Sequence, residues 1–551
     1  MRRALAAALL LPLATPALAQ ENDRASVVIS MDEASLPELL AVPELRSLAS
    51  AGGIALMNGR SDALYEMTQI RARSTGGEPP LQVRAEVADP REAAQVLSDM
   101  PGFRGPVLVI VMSRSPAAAS AADGDELGTV IAAWGDPVDL LQAQSEPRSL
   151  TSDSTRRAGV VADVDPAATV AEWLDLPYDV GAPIERTSQP APFDLYERYL
   201  EQRRLAVPAA TASWGAMMLF GLAAVVTLAF RERLSPRFLD AVGTLASSLP
   251  WLALGLLLAG HLPSLTVASV VPFLVAFVAA GVVFTRWVVA RRGIFVGLAA
   301  SGGVILAILA IEAALGWPAA VTPLAGGGQL DGGRFFGMPN IEIGIVLGSA
   351  LFVAHRVRIG TGVLLLVACA IVVGSPWTGS NIGAAITLFA AAGLWLAIRR
   401  RRPWWLVAML TGVITAIGVA AIALMHRYLA ERSTHVSAFL EDTTSVAGVV
   451  DRLVARLGIG FDQLADMPVA LIPVVGTLVL LVAVLRPPSA IARSFEGHDA
   501  WRDAALVLLL GSVVAYLAND TGAAAVGFGF GFALSGLFAV SLAATRGKMM
   551  R

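Results

Sequence analysis

Residues 265–293 read LTVASVVPFLVAFVAAGVVFTRWVVARRG, an apolar run longer than the roughly 20 residues that a membrane-spanning helix needs. The run ends in two arginines, which is typical of the cytoplasmic end of such a helix. Similar runs recur from Ala210 to the end of the chain, with short polar breaks between them. The sequence therefore predicts an all-α polytopic transmembrane bundle over residues 209–551.

About eleven spans are predicted in this bundle. They cover residues 210–230, 241–260, 265–288, 293–315, 340–355, 360–375, 381–398, 404–425, 468–485, 503–518 and 523–545. If residue 208 lies outside the cytoplasm, every gap that faces the cytoplasm contains Arg, whereas the outer gaps after Leu262, Trp317, Gly374 and Asn519 are nearly free of it, as the positive-inside rule requires. The C-terminus is then cytoplasmic. The short fifth span could instead tilt or re-enter.

Composition agrees with a protein that spends much of its length in lipid. The 551 residues are 55% hydrophobic and 15% charged, with a mean hydropathy of +0.65. These values exclude a chain that is a soluble enzyme throughout. The single cysteine, Cys369, excludes an intrachain disulfide.

Residues 1–19, MRRALAAALLLPLATPALA, have a basic start, a short apolar core and a small-x-small ending. This pattern predicts a secretory signal peptide. The alternative, an uncleaved anchor, is disfavoured because the apolar core is shorter than a span. Residues 20–208 should then lie outside the cytoplasm, and the protein should reside in a bacterial plasma membrane.

The two parts of the chain differ in charge. Residues 20–208 contain 29 Asp and Glu against 16 Arg, a net charge of −13, whereas residues 209–551 carry a net charge of +8. The acidic balance argues against nucleic acid as a partner of the first part.

Residues 20–208 also alternate between strand-like and helix-like segments. ASVVISM, IALMNGR, PVLVIVM and GVVADV are short runs rich in β-branched residues, and LPELLAVPELRSLASAG and PREAAQVLSDM are helical in pattern. Alternation of this kind predicts an α/β domain with a parallel sheet. Function in such sheets collects at the carboxyl ends of the strands, where Asp32, Asp163 and Asp165 occur.

The stretch from VVISMDEAS to QIRARSTG resembles the opening of alkaline phosphatase and sulfatase superfamily domains, and the segment ending in VADVDPAATVAEW is similar to one near their end. More closely, the chain resembles a group of uncharacterised bacterial membrane proteins that join such a domain to a multi-spanning bundle. The resemblance implies an alkaline phosphatase-like domain, truncated here. It assigns Asp32 to the metal site and Thr68 to the nucleophile.

The remaining ligands of that metal site are missing, because all five His residues lie in the bundle part. An all-carboxylate site of Asp32, Asp163 and Asp165 holding Mg²⁺ or Mn²⁺ is one reading, since these cations accept oxygen ligands alone. The favoured reading is a degenerate domain that kept the fold and lost the chemistry. It would bind a ligand or brace the bundle.

Three predicted outer gaps, PLAGGGQLDGGRFFGMPNIEIG, GSPWTGSNIG and LANDTG, are rich in glycine and polar residues. Ionisable groups at such positions usually line a cavity or have a partner. We predict a shared outer site in which Glu342, Asp331 and Asp520 are catalytic. Its substrate-binding residues would be Arg334, Asn340, Trp377, Thr378, Asn381 and Asn519, and Glu312 could join them.

Other interpretations of the outer gaps stay open. Asn340 and Asn381 each precede an apolar run, so either could instead cap a helix. Residues 427–467 have amphipathic helical spacing and would lie on the outer surface, either as a simple cover or as a gate.

Three classes of function fit this layout. The first is a transferase acting on a lipid-linked precursor of an envelope glycopolymer, with Arg334 holding phosphate. The second is a transporter or flippase of such a precursor, and the third is a non-catalytic envelope scaffold. Because charge gathers at the outer face and not near the bilayer midplane, the transferase is favoured over the transporter.

Overall fold

A computed structural model describes residues 26–31, 36–58, 82–87, 89–98, 107–111, 128–133, 146–162, 165–173, 181–231, 233–324, 328–331, 336–429, 458, 468–519 and 522–545. The predicted signal peptide lies outside the described residues. So does the predicted amphipathic loop after Leu429, apart from Gly458.

The described residues form two compact units. The sheet unit contains those up to Arg203, together with residues 328–331 and Phe336, and the helical unit contains the others from Arg204 onward. The division falls inside one long helix, Phe193–Phe230, as does the boundary predicted at residue 208.

In the described part of the sheet unit, eight strands form a mixed sheet. They are β1 (Ser26–Met31), β2 (Gly53–Asn58), β3 (Gln82–Val87), β4 (Val107–Val111), β5 (Gly128–Ala133), β6 (Arg148–Ser152), β7 (Val160–Ala162) and β8 (Ile184–Pro190). Their order is β3-β1-β4-β5-β2-β6-β8, with β7 beside β2. The four predicted strand segments are confirmed as β1, β2, β4 and β7.

The prediction of a parallel sheet is only partly right. β1 is parallel to β3 and β4, and β2 is parallel to β6 and β7. However, β5 is antiparallel to both of its neighbours, β2 and β4, and β8 is antiparallel to β6. An antiparallel neighbour needs no crossover helix, so β5 can lie directly beside β4, the strand that precedes it.

The described helices of the sheet unit are α1 (Leu36–Ala41), α2 (Pro43–Ala51), α3 (Pro90–Ser98) and α4 (Asp165–Trp173). β4 is apolar at every position, and its residues 107–110 are fully buried. A run of this kind is typical of a strand that is covered on both faces of its sheet.

The helical unit follows the predicted spans closely. Its helices are α5 (Phe193–Phe230), α6 (Pro236–Ala246), α7 (Leu249–Leu258), α8 (Val267–Arg292), α9 (Ile294–Ala314), α10 (Ile343–Ala354), α11 (Ile359–Gly374), α12 (Ile382–Arg399), α13 (Trp404–Tyr428), α14 (Leu471–Leu485), α15 (Ser489–Phe495), α16 (Asp499–Ala518) and α17 (Gly522–Thr545). The second predicted span is divided between α6 and α7.

Eight helical segments in the described chain are long and apolar enough to cross a membrane, and three shorter apolar helices are Asn340–Ala354, Ile359–Gly374 and Leu471–Leu485. Only 11% of the spanning window is buried in α8 and in α13, whereas the window in α17 is entirely buried. The exposed side chains of the first two are apolar, for example Val275 and Ile417. This pattern indicates a membrane-embedded protein in which α17 lies at the centre of the helical unit.

Candidate functional site

Several predicted site residues lie outside the described residues, namely Asp32, Thr68, Asp163, Arg334 and Asp520. Asp331 ends a short 3-10 turn, Gln329–Asp331, that belongs to the sheet unit and packs near β2. The structure therefore describes the side chains of Asp165 in the sheet unit and of seven predicted residues in the helical unit, namely Glu312, Asn340, Glu342, Trp377, Thr378, Asn381 and Asn519.

Asp165 is the first residue of α4 and is fully buried. Its carboxylate accepts two hydrogen bonds on each oxygen. The donors are the hydroxyls of Ser152 and Ser154 and the backbone N–H groups of Ala162 and Ala182. Because these bonds occupy both oxygens, Asp165 fits a structural anchor for the start of α4.

Burial raises the pKa of Asp165 from 3.8 to about 6, and the hydrogen bonds from Ser152, Ser154 and the two backbone amides lower it by less. The folded-state pKa is thus above the unfolded one. Asp165 therefore makes its full contribution to the free energy of unfolding at pH values below its unfolded pKa. That contribution is lost as the pH rises through the folded pKa.

We expect the sheet unit to be more stable at pH 5 than at pH 7.5, with a contribution on the order of 1 kcal/mol from Asp165. Pulse proteolysis of the full chain in liposomes, during a urea titration at each pH, would measure the difference. Asp165→Asn removes the titrating carboxyl group. The stability difference between pH 5 and pH 7.5 should therefore be smaller in this variant by the contribution of Asp165. A pH dependence that is the same in both proteins would contradict the assignment.

The helical unit gathers the other predicted residues at one end, which we call the asparagine end because Asn340, Asn381 and Asn519 lie there. Asn381 is fully buried and occupies the N-cap position of α12, where its Oδ1 accepts from Ala384 N at 2.8 Å. Its Nδ2 donates to Met338 O at 3.1 Å. The capping interpretation of Asn381 is confirmed, and the same side chain joins two connecting segments.

Asn519 follows the last residue of α16 and packs against the start of α12. Its side chain is buried, and Nδ2 donates to Ala515 O at 2.9 Å within α16. This bond directs Oδ1 toward Gly383, where a Cβ atom would lie 2.4 Å from it. Glycine at position 383 therefore permits the close approach of the two helices.

Asn340 and Glu342 form the 3-10 turn that leads into α10, and both are buried. The N-cap residue of α10 is Glu342 and not Asn340. The side chain of Glu342 makes no capping hydrogen bond to the start of this helix. The capping predicted for Asn340 is therefore not the arrangement at this helix start. A carboxylate at the first turn of α10 is favoured by the positive end of the helix dipole.

Thr378 is joined to the end of α9 through Trp317. The buried indole of Trp317 donates from Nε1 to Thr378 O at 2.5 Å, and the Thr378 hydroxyl lies 2.7 Å from that of Ser375. Trp377 beside it is half exposed. Met338 N also donates to Gly379 O at 3.0 Å, so the two predicted polar connectors contact each other directly.

Glu312 lies at the same end, as was predicted. Its hydrogen-bond partner, His261, was not predicted. Oε1 of Glu312 is 2.5 Å from Nε2 of His261, and Oε2 of Glu312 accepts from Ala319 N at 3.1 Å. The carboxylate is buried, with a side-chain exposure of 5%, whereas His261 is 44% exposed. The end of α9 thus joins the turn Ala259–His261 to the turn Pro318–Val321.

Backbone strain also collects at the asparagine end. Trp317 has φ 59° and Ser380 has φ 45°, the left-handed region that side chains other than glycine rarely adopt. Trp317 is held there because its N–H donates to Glu312 O at 2.7 Å, closing the helix end in which Gly316 is also left-handed. Strained residues of this kind persist where surrounding contacts fix them, often at functional sites.

Among the described side chains, no group of three or more His, Cys, Asp or Glu is arranged to hold a metal ion. The predicted Mg²⁺ or Mn²⁺ site stays a prediction, because Asp32 and Asp163 are not among them. In comparisons with known proteins, no family model matches the chain, and no curated protein or solved structure matches it either.

Proposed function

We propose that this is a multi-pass protein of a bacterial plasma membrane that works on a lipid-linked precursor of an envelope glycopolymer, as a transferase, at its asparagine end. One observation carries the proposal. The predicted polar connectors are tied together at one end of the helical unit, through Asn381 to Met338 and through Trp317 to Thr378.

The charge distribution supports an asparagine end that faces away from the cytoplasm. At the opposite end, α12 finishes at Arg399 and is followed by three more arginines, and α8 finishes at Arg291 and Arg292. Arginines flanking spans favour the cytoplasmic side. The sheet unit, which precedes the first span, would then lie outside the cytoplasm.

The positions of the buried carboxylates support a transferase over a transporter. Glu312 lies near the end of α9 and Glu342 at the start of α10, so both are at a helix end and not at mid-depth. Transporters usually bind their substrates near the bilayer midplane. A site at the helix ends is a better match to a substrate whose reactive group lies near the lipid headgroups than to one that is bound at the midplane.

In this proposal the sheet unit is a degenerate alkaline phosphatase-like domain that binds a ligand or supports the helical unit. The hydrogen bonds of Asp165 favour this role, because they use both carboxylate oxygens for fold stability.

We expect Glu342→Gln to abolish function, because it removes the carboxyl group of a fully buried side chain while keeping its size. The lipid-linked intermediates of the source bacterium would be profiled after gene deletion and after complementation. Deletion should make intermediates accumulate, and both Glu342→Gln and Arg334→Ala should resemble the deletion while the folded protein reaches the membrane.

The control is Glu496→Gln, which makes the same substitution at an exposed side chain and should complement fully. An unchanged lipid profile in the deletion strain, with an intact envelope, would refute the proposed function. Full complementation by Glu342→Gln would instead restrict Glu342 to a supporting role.

A further inference from the structure

We infer that His261 and Glu312 form a catalytic acid–base pair, with His261 as the group that touches the substrate. The inference rests on the proposed function and names a site within it. Its basis is a half-exposed imidazole hydrogen-bonded to a buried carboxylate at the asparagine end.

Glu312 is positioned rigidly. One carboxylate oxygen faces His261 Nε2 at 2.5 Å, the other accepts from Ala319 N at 3.1 Å, and the backbone carbonyl of the same residue accepts from Trp317 N at 2.7 Å. A carboxylate held by several bonds can fix the orientation of the imidazole that it contacts. This is the role of the third group in acid–base constellations.

The Nε2 contact also selects the tautomer of His261. A neutral imidazole that donates Nε2–H to the carboxylate keeps its lone pair on Nδ1. Within the part of the chain that the structure describes, Nδ1 is not used in a hydrogen bond, and the ring is 44% exposed. Nδ1 is therefore available to accept a proton from a bound molecule.

The reaction follows from these positions. His261 Nδ1 takes the proton of a substrate hydroxyl, and the electron pair of the broken O–H bond forms a bond to the carbon or phosphorus of a lipid-linked donor. The bond from that atom to its phosphate leaving group breaks, and the leaving group takes the electron pair. The proton on Nδ1 then passes to the leaving group. Until that transfer, the Glu312 carboxylate stabilises the imidazolium.

The surroundings of the pair indicate how such a donor reaches it. α8 packs against the turn Ala259–His261 and against α9. Exposed apolar side chains lie near the pair, at Val267 and Val271 on α8, at Ile311 on α9 and at Leu315 directly after α9. In a membrane these side chains face lipid, so the substrate class is an amphiphile whose apolar chain lies along them and whose reactive group reaches His261.

A purely structural role for the pair makes a different prediction. If Glu312 only joins the two turns, a variant that keeps the hydrogen bond should keep function. His261→Gln is such a variant, because its Nε2–H can still donate to Glu312 but its amide cannot take up a proton. His498→Gln is the matched control, since His498 is also partly exposed and lies at the start of α16, far along the chain from the pair.

The test uses washed membranes of the complemented deletion strain and follows consumption of their own radiolabelled lipid-linked intermediate. His261→Gln is expected to lower the rate by about 100-fold or more while the protein elutes and denatures like the unaltered chain. His498→Gln should not change the rate, and added imidazole should partly restore His261→Gly. A wild-type rate in folded His261→Gln would overturn the inference and leave the proposed function standing.

A second measurement does not depend on the folding of a His261 variant. Diethylpyrocarbonate modifies exposed imidazoles, so in a protein that carries both His498→Gln and His435→Gln inactivation should follow modification of His261, and hydroxylamine should reverse both. Retained activity after complete modification of His261 would overturn the inference. An unchanged lipid profile in the deletion strain would refute the proposed function itself.

Discussion

Leucine in place of Gly344 is expected to prevent the helical unit from folding. Gly344 is in the first turn of α10, where a Cβ atom would lie 2.5 Å from Gly529 N, 2.9 Å from Phe528 Cβ and 3.1 Å from Ala525 O. Two of these three atoms belong to the backbone of α17, which cannot move aside as a flexible side chain can. The cost should be about 3 kcal/mol, at the upper end of the usual range for overpacking, since the spanning window of α17 is entirely buried.

The measurement is the amount of monodisperse protein after mild detergent extraction, together with its thermal denaturation midpoint. Gly412→Leu is the matched control, because Gly412 lies in the exposed helix α13 and has no atom within 4 Å of a Cβ. That variant should fold normally. Normal yield and stability of Gly344→Leu would show that α10 and α17 do not approach each other in this way.

The same contact determines where the asparagine end forms. Contacts from Gly344 to Gly529 and from Gly348 to Phe532 advance in the same direction along both chains, so α10 and α17 run parallel. Glycines allow helix backbones in a membrane to approach closely and pack by van der Waals contact. Because Glu342 comes directly before α10, its depth and burial follow from this helix pair.

The helices of this protein could be predicted from sequence because each depends on a local property. A long apolar run bounded by Arg or Gly is sufficient to place α8, α9 or α12 within a few residues. The strands were harder. β8, IERTSQP, and β3, QVRAEV, are polar enough to lack the β-branched apolar pattern, and they lie at the two edges of the sheet path.

The site could be predicted only where its contacts are local. The cap at Asn381 joins residues three apart, and a polar residue before an apolar run indicates it. His261 and Glu312 are 51 residues apart, and their pairing depends on how the turn Ala259–His261 packs against the turn Pro318–Val321. No spacing in the sequence distinguishes His261 from an ordinary loop histidine.

A second large effect is expected at the opposite end of α12, where Asp503→Asn should lower the free energy of unfolding by about 3–5 kcal/mol. The Asp503 carboxylate is 3% exposed and binds two guanidinium groups, Arg399 Nη1 at 3.1 Å and Arg401 Nη1 at 3.0 Å. Its loss would leave Arg399, itself mostly buried, without a counter-charge. Desolvating an unpaired charge costs far more than a surface ion pair contributes.

Asp503 also stabilises a strained helix end. Arg401 has φ 53° and follows α12 in a left-handed turn, in which its N–H donates to Ile398 O and Arg402 N–H donates to Ala397 O. Glycine usually occupies that position, and another residue costs about 1 kcal/mol or more there. The bonds from Arg401 to Asp503 and Asp499 offset this cost.

Asp499→Asn is the control for this prediction, because Asp499 pairs with the same Arg401, at 2.8 Å, but is 70% exposed. Water screens an exposed pair, so its loss should cost no more than about 1 kcal/mol. Unfolding of both variants in mixed detergent micelles with increasing sodium dodecyl sulfate would compare them under one condition. Equal destabilisation by the two substitutions would show that burial of Asp503 does not determine the strength of the cluster. A much larger loss in Asp503→Asn would show that this buried carboxylate joins α12 to α16.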